Sequence, residues 1–203
     1  MNKKKKSLEI RLVIPDAGVL ISLAHGGLLD VLFGFSTRTH IVVTDVVMFE
    51  ATRRNDLADA QVINEFVNAH KEQIAVEATS AQRLIELAKN DPTILPDDIG
   101  ETSIYGYINA IRNDYPGIPT LVIFEDQWFI ANQHQRPRNT HLLSLSAFLK
   151  AIERLNPDFL YNDAIDAIRK TRPHVHLVDL DDPAESGTEW KPTYGKEDDD
   201  EQE

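Results

Sequence analysis

The sequence predicts an α/β protein of three layers, in which helices cover both faces of a central, mostly parallel sheet. Short apolar runs rich in β-branched residues, such as 41–43 and 119–124, alternate along the chain with segments of helical apolar spacing. A helical segment between successive strands is the connection that parallel strands require. With 203 residues, 42% of them hydrophobic, the chain is long enough for one sizeable core.

The N-terminal half of the pattern begins with residues 8–15, which alternate in polarity and then become apolar, as in a strand entering a buried sheet. The segment 17–33 has helical spacing interrupted at Gly26 and Gly27, and Thr44 is placed to cap the helix that follows the second strand. The predicted strands are 8–15, 41–43, 74–76, 119–124 and 140–143, and the predicted helices are 17–33, 45–53, 58–70, 80–89, 98–113, 146–155 and 158–170.

Two of these helices carry more detailed predictions. Residues 58–70 place Ala58, Val62, Phe66 and Ala69 at helical spacing, which predicts an amphipathic helix. Asn156 and Pro157 separate the last two helices, and Asn is a good N-cap while Pro suits the first helical position. The final helix is therefore expected to begin directly after Asn156.

Charge divides the chain into a near-neutral body and an acidic end. Residues 179–203 contain 11 Asp and Glu against 2 Lys, so they carry −9 of the net charge of −12. We interpret 1–7 as a basic, flexible N-terminus, 8–178 as the folded domain, and 179–203 as a disordered acidic tail. The tail is either a solubilising end or a nucleic-acid mimic that folds back on a basic patch.

Composition also bears on compartment and on the kind of site. The chain has no run of 18 apolar residues and no apolar stretch near the start that would make a signal peptide, so we expect a cytoplasmic protein without a membrane span. It contains no Cys, which excludes disulfides, thiolate metal sites and cysteine nucleophiles.

Two carboxylates are predicted at the ends of strands. Asp16 follows the apolar run 12–15, and Asp126 follows the run 121–124 and Glu125. Ligands of open parallel sheets bind at the carboxyl ends of the strands. A turn role is the alternative for each residue, because Asp is common in turns.

Two further carboxylates are predicted on the apolar sides of helices. Glu50 lies within the stripe of Val46 and Val47, and Glu101 is in register with Ile104. A carboxylate that faces a core is costly unless it is paired or bound to a cation. Asp98 is the alternative to Glu101, because the two form a near capping box as N-cap and third helical residue.

Taken together, Asp16, Glu50, Glu101 and Asp126 form an all-oxygen ligand set, which suits Mg²⁺ or Mn²⁺. Such ions promote phosphodiester hydrolysis by activating water and neutralising the phosphate. Local basic clusters are predicted to contact nucleic-acid phosphates. Their residues are Arg53, Arg54, Arg136 and Arg138.

In the stretches that carry these acids, the chain resembles a PIN-domain protein. The matching stretches are IPDAGVLISLAHGGLLDVLF, VVTDVVMFEA, DDIGETSIYGYINA and LVIFEDQWFI. Gly100 and Glu101 resemble a subfamily with a Gly-Glu pair, and HLLSLSAFLKAIERLNPDFLYNDAIDAIR resembles the extra C-terminal helical pair of that subfamily. The resemblance covers roughly 10–170, and its specificity comes from the order and spacing of short motifs.

The resemblance implies a PIN-like domain over 8–178 and a Mg²⁺- or Mn²⁺-dependent ribonuclease. It makes Asp16, Glu50, Glu101 and Asp126 the catalytic, metal-binding acids, with Asp98 as a substitute for Glu101. It also implies RNA as substrate, an antitoxin protein as a partner in a toxin–antitoxin pair, and a homodimer.

Three alternatives compete with this interpretation. A dehalogenase-type phosphatase needs a second Asp two residues after the first, and Gly18 occupies that position. A P-loop nucleotide hydrolase needs a Gly-rich phosphate loop with Lys and Ser or Thr, and none is present. The remaining alternative is a catalytically inactive PIN-like binding or regulatory module, which the Gln127 and Trp128 after Asp126 favour because a basic residue is expected there.

Overall fold

The computed structural model describes residues 11–34, 39–175 and 177, and within them strands and helices alternate as predicted. The strands are β1 (Leu12–Pro15), β2 (His40–Thr44), β3 (Ile74–Glu77), β4 (Thr120–Phe124) and β5 (Thr140–Ser144). The α-helices are α1 (Ala17–Gly26), α2 (Asp45–Thr52), α3 (Ala58–Ala69), α4 (Gln82–Ala88), α5 (Ile99–Ile111), α6 (Trp128–Ala131), α7 (Leu145–Leu155) and α8 (Tyr161–Thr171). Short 3₁₀ helices occupy Leu29–Phe33, Pro92–Ile94 and Gln133–Gln135. The basic segment 1–7 and the acidic tail 179–203 lie outside the described residues.

The five strands form one parallel sheet in the order β3-β2-β1-β4-β5, flanked by helices, which confirms the predicted three-layer α/β/α architecture. Val13 of β1 pairs with Ile41 of β2 on one side and with Leu121 of β4 on the other. From β1 the chain proceeds outward to β2 and β3, and from β4 it proceeds outward in the opposite direction to β5. The point where the strand order reverses therefore lies between β1 and β4.

Burial follows the position of each strand in the sheet. All residues of β1 and β4 are buried, because helices cover both faces of these central strands. The edge strand β3 is covered less completely, and Val76 is 46% exposed. None of the described helices combines the length and the apolar character that a membrane crossing requires.

Two predicted helix boundaries are confirmed by their hydrogen bonds. Gly27 ends α1 in the left-handed region at φ 66°, and its N–H donates to the carbonyl of Ala24 at 3.1 Å. Glycine enters this region without steric cost, which explains the break between α1 and the following 3₁₀ turn. Thr44 caps α2, and its Oγ1 accepts the N–H of Val47 at 3.2 Å.

Helix α3 is confirmed, but the apolar set that predicted it does not form its buried face, although Phe66 is half-buried and packs against the core. Ala60, Ile63 and Val67 are buried, whereas Val62 is 42% exposed. Both sets of residues have helical spacing, so spacing alone does not select the face that meets the sheet. Packing against the rest of the core decides between them.

The predicted start of the last helix is also wrong. Asn156 ends α7 instead, and its Oδ1 accepts the N–H of Asp158 at 3.1 Å in a tight turn. Helix α8 begins at Tyr161, whose N–H donates to Oε1 of Glu153 at 2.9 Å. A carboxylate of α7 therefore satisfies a donor at the start of α8, and this partner is not visible in the local sequence.

Candidate functional site

A cavity of about 540 Å³ opens where the strand order reverses, between the carboxyl ends of β1 and β4. Ligands of open α/β sheets bind at this kind of position because the helices that follow the two strands leave in opposite directions. The cavity brings together all four acids that the sequence singled out and adds a fifth. The lining carboxylates are Asp16, Glu50, Glu101, Glu125 and Asp126.

Asp16 is a buried residue that follows β1 and forms hydrogen bonds with α1 and with the end of β4. Its Oδ1 accepts the N–H of Val19 in α1 at 2.7 Å, and its Oδ2 accepts the N–H of Glu125, just after β4, at 2.9 Å. Its own N–H donates to the carbonyl of Ile123 at 2.9 Å. Burial raises the pKa of Asp16 from 3.8 to about 7, and the two hydrogen bonds to the carboxylate offset this rise only in part.

Glu50 of α2 and Glu101 of α5 are half-buried and electrostatically coupled. Burial raises the pKa of Glu50 from 4.5 to about 7, and the negative charge of Glu101 adds to the rise. Burial likewise raises the pKa of Glu101 to about 7, and the charges of Asp16 and Asp126 add to it. Glu101 is therefore within electrostatic reach of acids from both central strands.

Gly100 makes room for Glu50. A Cβ added at Gly100 would clash with Oε2 of Glu50, so any side chain at this position would force the carboxylate to move. The Gly-Glu pair at 100–101 thus has a geometric reason. The glycine accommodates one carboxylate of the cavity and the glutamate supplies another.

Asp126 and Asp98 are both exposed, but only Asp126 lines the cavity. Oδ1 of Asp126 accepts the N–H of Trp128 at 2.8 Å. Asp98 occupies the predicted N-cap position of α5, but the predicted capping box is not formed, because the Asp98 backbone is not extended (φ −102°, ψ 24°) and its side chain makes no capping hydrogen bond. Glu101 lines the cavity and Asp98 does not, which favours Glu101 in the choice between them.

Sequence reasoning missed Glu125 and Arg172, which form an ion pair inside the cavity. Nη1 of Arg172 lies 3.1 Å from Oε1 of Glu125, and these side chains are 28% and 11% exposed. Ser22 of α1 donates to Oε2 of Glu125 at 2.5 Å and accepts a short hydrogen bond from Arg172. Burial raises the pKa of Glu125, while Ser22 and Arg172 act against that rise.

No sequence signal pointed to Arg172, because it enters the site through tertiary packing. It follows the last residue of α8, which packs on α1. Oγ1 of Thr171 donates to the carbonyl of His25 at 3.2 Å, and Ile168 lies so close to Gly26 that a Cβ there would come within 2.9 Å of its side chain. The C-terminal helix is therefore held in place to deliver a guanidinium to the acidic cavity.

The arginines predicted to contact nucleic acid lie outside the cavity lining. They are Arg53, Arg54, Arg136 and Arg138. Arg54 is engaged by Asp56, with Nε and Nη2 each 2.9 Å from a carboxylate oxygen on the protein surface. Arg53 is exposed, and its charge acts against the rise in the pKa of Glu50. Arg53 therefore has an electrostatic link to the site.

The donor set of the cavity has the chemistry of a site for a hard divalent cation, but not its spacing. All of its candidate ligands are carboxylate oxygens, which Mg²⁺ and Mn²⁺ prefer. Burial makes their negative charge costly without a cation, as the raised pKa values of Asp16, Glu50 and Glu101 indicate. Within the part of the chain that the structure describes, no three His, Asp or Glu side chains have the spacing of a ready-made metal site.

Comparisons with protein-family models, with curated proteins and with solved structures found no match to this chain. The resemblance to PIN domains thus depends on the motifs quoted from the sequence and stays a prediction.

Proposed function

We propose that this protein is a divalent-cation-dependent ribonuclease whose active site is the acidic cavity between β1 and β4. The observation that carries the proposal is the convergence of Asp16, Glu50, Glu101 and Asp126 from four separate segments on one cavity. A turn role for Asp16 or Asp126, a nearby arginine for Glu50, or the helix N-terminus for Glu101 explains any one of these acids alone. None of these explains why four of them line the same cavity with three pKa values near 7.

Each acid has a distinct part in the proposed reaction. A bound Mg²⁺ or Mn²⁺ supplies Lewis-acid activation of water and neutralises charge on the reacting phosphate. Asp16 is held rigidly by two backbone N–H groups, so it provides a preorganised ligand. Glu101 lies within electrostatic reach of Asp16 and Asp126, so these three residues would hold the cation. Glu50, which is electrostatically coupled to Glu101, would bind it directly or through water.

Because the described carboxylates do not have the spacing of a ready-made metal site, they would have to move toward one another to hold a cation. Glu50 and Glu101 are long, flexible side chains that move by rotamer changes, while Asp16 stays fixed. The proposal therefore predicts rearrangement of the glutamates when the cation binds.

RNA as substrate is the more specific part of the proposal and rests on the PIN-like motifs. The same motifs support a cytoplasmic enzyme that is the toxin of a toxin–antitoxin pair, with an antitoxin protein as partner and a homodimer as assembly. The acidic cavity itself requires only a phosphodiester substrate and a divalent cation.

A non-catalytic RNA-binding module is the second candidate, and two observations favour it. Both oxygens of Asp16 already accept backbone hydrogen bonds, one that caps α1 and one from Glu125 after β4, as a purely structural role would require. The charge of Glu125 is already balanced by Arg172. In this alternative the acids position α1 and β4 and no cation is needed.

Cleavage of a labelled single-stranded RNA separates the two candidates. We expect cleavage with Mn²⁺ that stops in EDTA, and its loss in Asp16→Asn while circular dichroism and thermal unfolding show a folded chain. Glu101→Gln and Asp98→Asn are a matched pair on one helix turn, and only Glu101→Gln should impair cleavage. RNA binding without cleavage at any Mn²⁺ concentration would support the module, and full activity in Asp16→Asn would rule out the site.

A further inference from the structure

Arg172 is the only basic residue among the described residues that line the acidic cavity. Its side chain is 28% exposed, so it reaches both the protein interior and solvent. A nucleic-acid substrate brings phosphate charge to a cavity with five carboxylates, and a fixed cation would offset the repulsion. The position of Arg172 therefore calls for an explanation beyond the stability of the fold.

The guanidinium of Arg172 is fixed through one nitrogen. Its Nη1 donates to the carbonyl of Gly18 at 3.4 Å, to Oγ of Ser22 and to the carboxylate of Glu125. Within the described part of the chain, every side-chain hydrogen bond of Arg172 leaves from this atom, so Nε and Nη2 stay available for a ligand. A guanidinium held in this way keeps donors in the fork geometry that matches two oxygens of a phosphate.

Glu125 holds Arg172 in place. Its two carboxylate oxygens lie 3.1 and 3.3 Å from Nη1, and Ser22 donates to one of them. A carboxylate engaged in this way is poorly placed to bind a cation as well. Glu125 therefore differs from the other four acids, because it neutralises and orients the arginine.

We infer that Arg172 is a substrate-positioning residue that binds a phosphate of the RNA through its free N–H donors, with Glu125 and Ser22 as its anchor. This inference rests on the proposed function, since it names the residue that orients the substrate at that same site. It assigns to the C-terminal helix α8 a role in substrate binding, which packing of α8 on α1 alone does not require.

The test measures RNA binding and cleavage separately. A fluorescein-labelled single-stranded oligoribonucleotide is titrated in Ca²⁺, an oxygen-ligated ion that here replaces the catalytic cation, and cleavage is measured in Mn²⁺. We expect Arg172→Gln to weaken RNA binding and raise KM by about tenfold or more, the usual scale for losing a hydrogen bond between charged groups. Arg172→Lys should recover binding only in part, because an ammonium lacks the fork geometry.

The matched control is Arg169→Gln, which removes the same charge from an exposed position on the same helix. We expect this variant to bind and cleave RNA as the unaltered protein does. The Mn²⁺ concentration that gives half-maximal cleavage should not rise in Arg172→Gln, since arginine is not a cation ligand. A purely structural arginine would instead change folding stability and leave KM unaltered.

A double variant that removes both charges of the ion pair separates a lost RNA contact from a folding defect. Arg172→Gln leaves Glu125 buried without its partner, whereas the double variant Glu125→Gln/Arg172→Gln removes both charges and should unfold at a higher urea concentration than the single variant. If the double variant is stable and still binds RNA weakly, positioning by Arg172 is supported. If it binds RNA as tightly as the unaltered protein, or if the unaltered protein binds no RNA, the inference is overturned.

The outcomes keep the two proposals apart. Cleavage by the unaltered protein with an unchanged KM in Arg172→Gln would refute the role of Arg172 and retain the ribonuclease. Binding that depends on Arg172 without any cleavage would refute the ribonuclease and retain Arg172 as a phosphate-binding residue.

Discussion

Two strand-to-helix junctions at the carboxyl edge of the sheet have the same architecture and differ in one chemical group. At the β1–α1 junction, Asp16 caps the helix by accepting the N–H of Val19 at 2.7 Å. At the β5–α7 junction, Ser144 caps the helix by accepting the N–H of Ala147 at 3.2 Å. Both cap residues are buried, with 5% and 3% of their surface exposed. The capping geometry is shared, but one junction uses a carboxylate and the other uses a hydroxyl.

The difference teaches that the helix cap alone does not account for the carboxylate, whose second oxygen also accepts the N–H of Glu125 at 2.9 Å. Thr44 repeats the hydroxyl solution at the β2–α2 junction, so three equivalent positions are capped and only one of them carries an acid. A hydroxyl is buried without a charge, whereas burial raises the pKa of Asp16 to about 7. The junction that bears this electrostatic cost is the one at the strand-order reversal, where Glu125 and Asp126 follow the neighbouring strand.

The largest expected effect is on RNA cleavage, when the carboxylate cap of α1 is replaced by a hydroxyl cap. Asp16→Ser supplies the hydroxyl that serves at Ser144, so α1 keeps a cap while the cavity loses its most rigid carboxylate. We expect RNA cleavage to fall by more than the roughly 100-fold that loss of a group supporting a metal ligand typically costs. Initial rates in saturating Mn²⁺ measure this effect, and cleavage at the original rate by the Asp16→Ser variant would show that Asp16 is only a cap.

The pH dependence of stability is the second way to separate the junctions. In metal-free protein, folded Asp16 keeps its proton up to about pH 7, whereas its unfolded pKa is near 3.8. Between these values the folded state holds more protons than the unfolded state, so stability falls as pH rises from about 4 to 7. Glu50 and Glu101 act in the same direction, because their pKa values also rise to about 7.

We expect the urea midpoint in EDTA to decrease across this pH range, by up to a few kcal/mol in unfolding free energy from Asp16. Mn²⁺ should restore more stability at pH 8 than at pH 5, because it binds the ionised cavity of the folded protein. Metal-free Asp16→Ser should be more stable than the unaltered protein at pH 8. A flat pH profile in EDTA would contradict the costly burial of Asp16.

Sequence predicted the position of the acids well because strand ends and helix faces follow from local patterns. Asp16 and Asp126 follow apolar runs, and Glu50 and Glu101 lie on apolar helix stripes, so all four could be placed at the cavity. Arg172 could not be predicted, because only the packing of α8 on α1 brings it there.

Glu125 shows a different limit of sequence reasoning. All residues of β4 are buried, so the strand lacks the alternation that would indicate which of the next two residues points into the sheet edge. In the structure Glu125 forms the partly buried ion pair, whereas Asp126 lies at the exposed edge of the cavity. The capping box at Asp98 failed for a related reason, since Glu101 meets the cavity, which local spacing does not reveal.

Gly100 and Gly106 lie on the same helix α5 and differ in the space around them, so substituting each by alanine tests the role of Glu50, with a smaller expected effect. A Cβ at Gly100 would clash with Glu50, whereas a Cβ at Gly106 would contact nothing within 4 Å. We expect Gly100→Ala to displace Glu50 and weaken Mn²⁺ binding by roughly tenfold, the lower end of the effect of groups that support a metal ligand. Gly106→Ala should leave Mn²⁺ binding unchanged and stabilise the helix by up to about 1 kcal/mol. Equal Mn²⁺ affinity in the two variants would show that Glu50 does not depend on the space beside Gly100.

Removal of the hydroxyl cap is the smallest expected effect and completes the comparison. Ser144→Ala leaves the N–H of Ala147 without its side-chain acceptor, and loss of an N-cap typically costs about 1 kcal/mol. The loss should be the same at pH 5 and pH 8, because no titrating group is involved, and RNA cleavage should be unchanged under conditions where the variant is folded. Asp16→Ser and Ser144→Ala should therefore change metal-free stability at pH 8 in opposite directions, which urea unfolding at that pH measures directly. If Ser144→Ala abolished cleavage in a folded chain, the β5–α7 junction would belong to the site, and the contrast between a functional and a structural cap would be wrong.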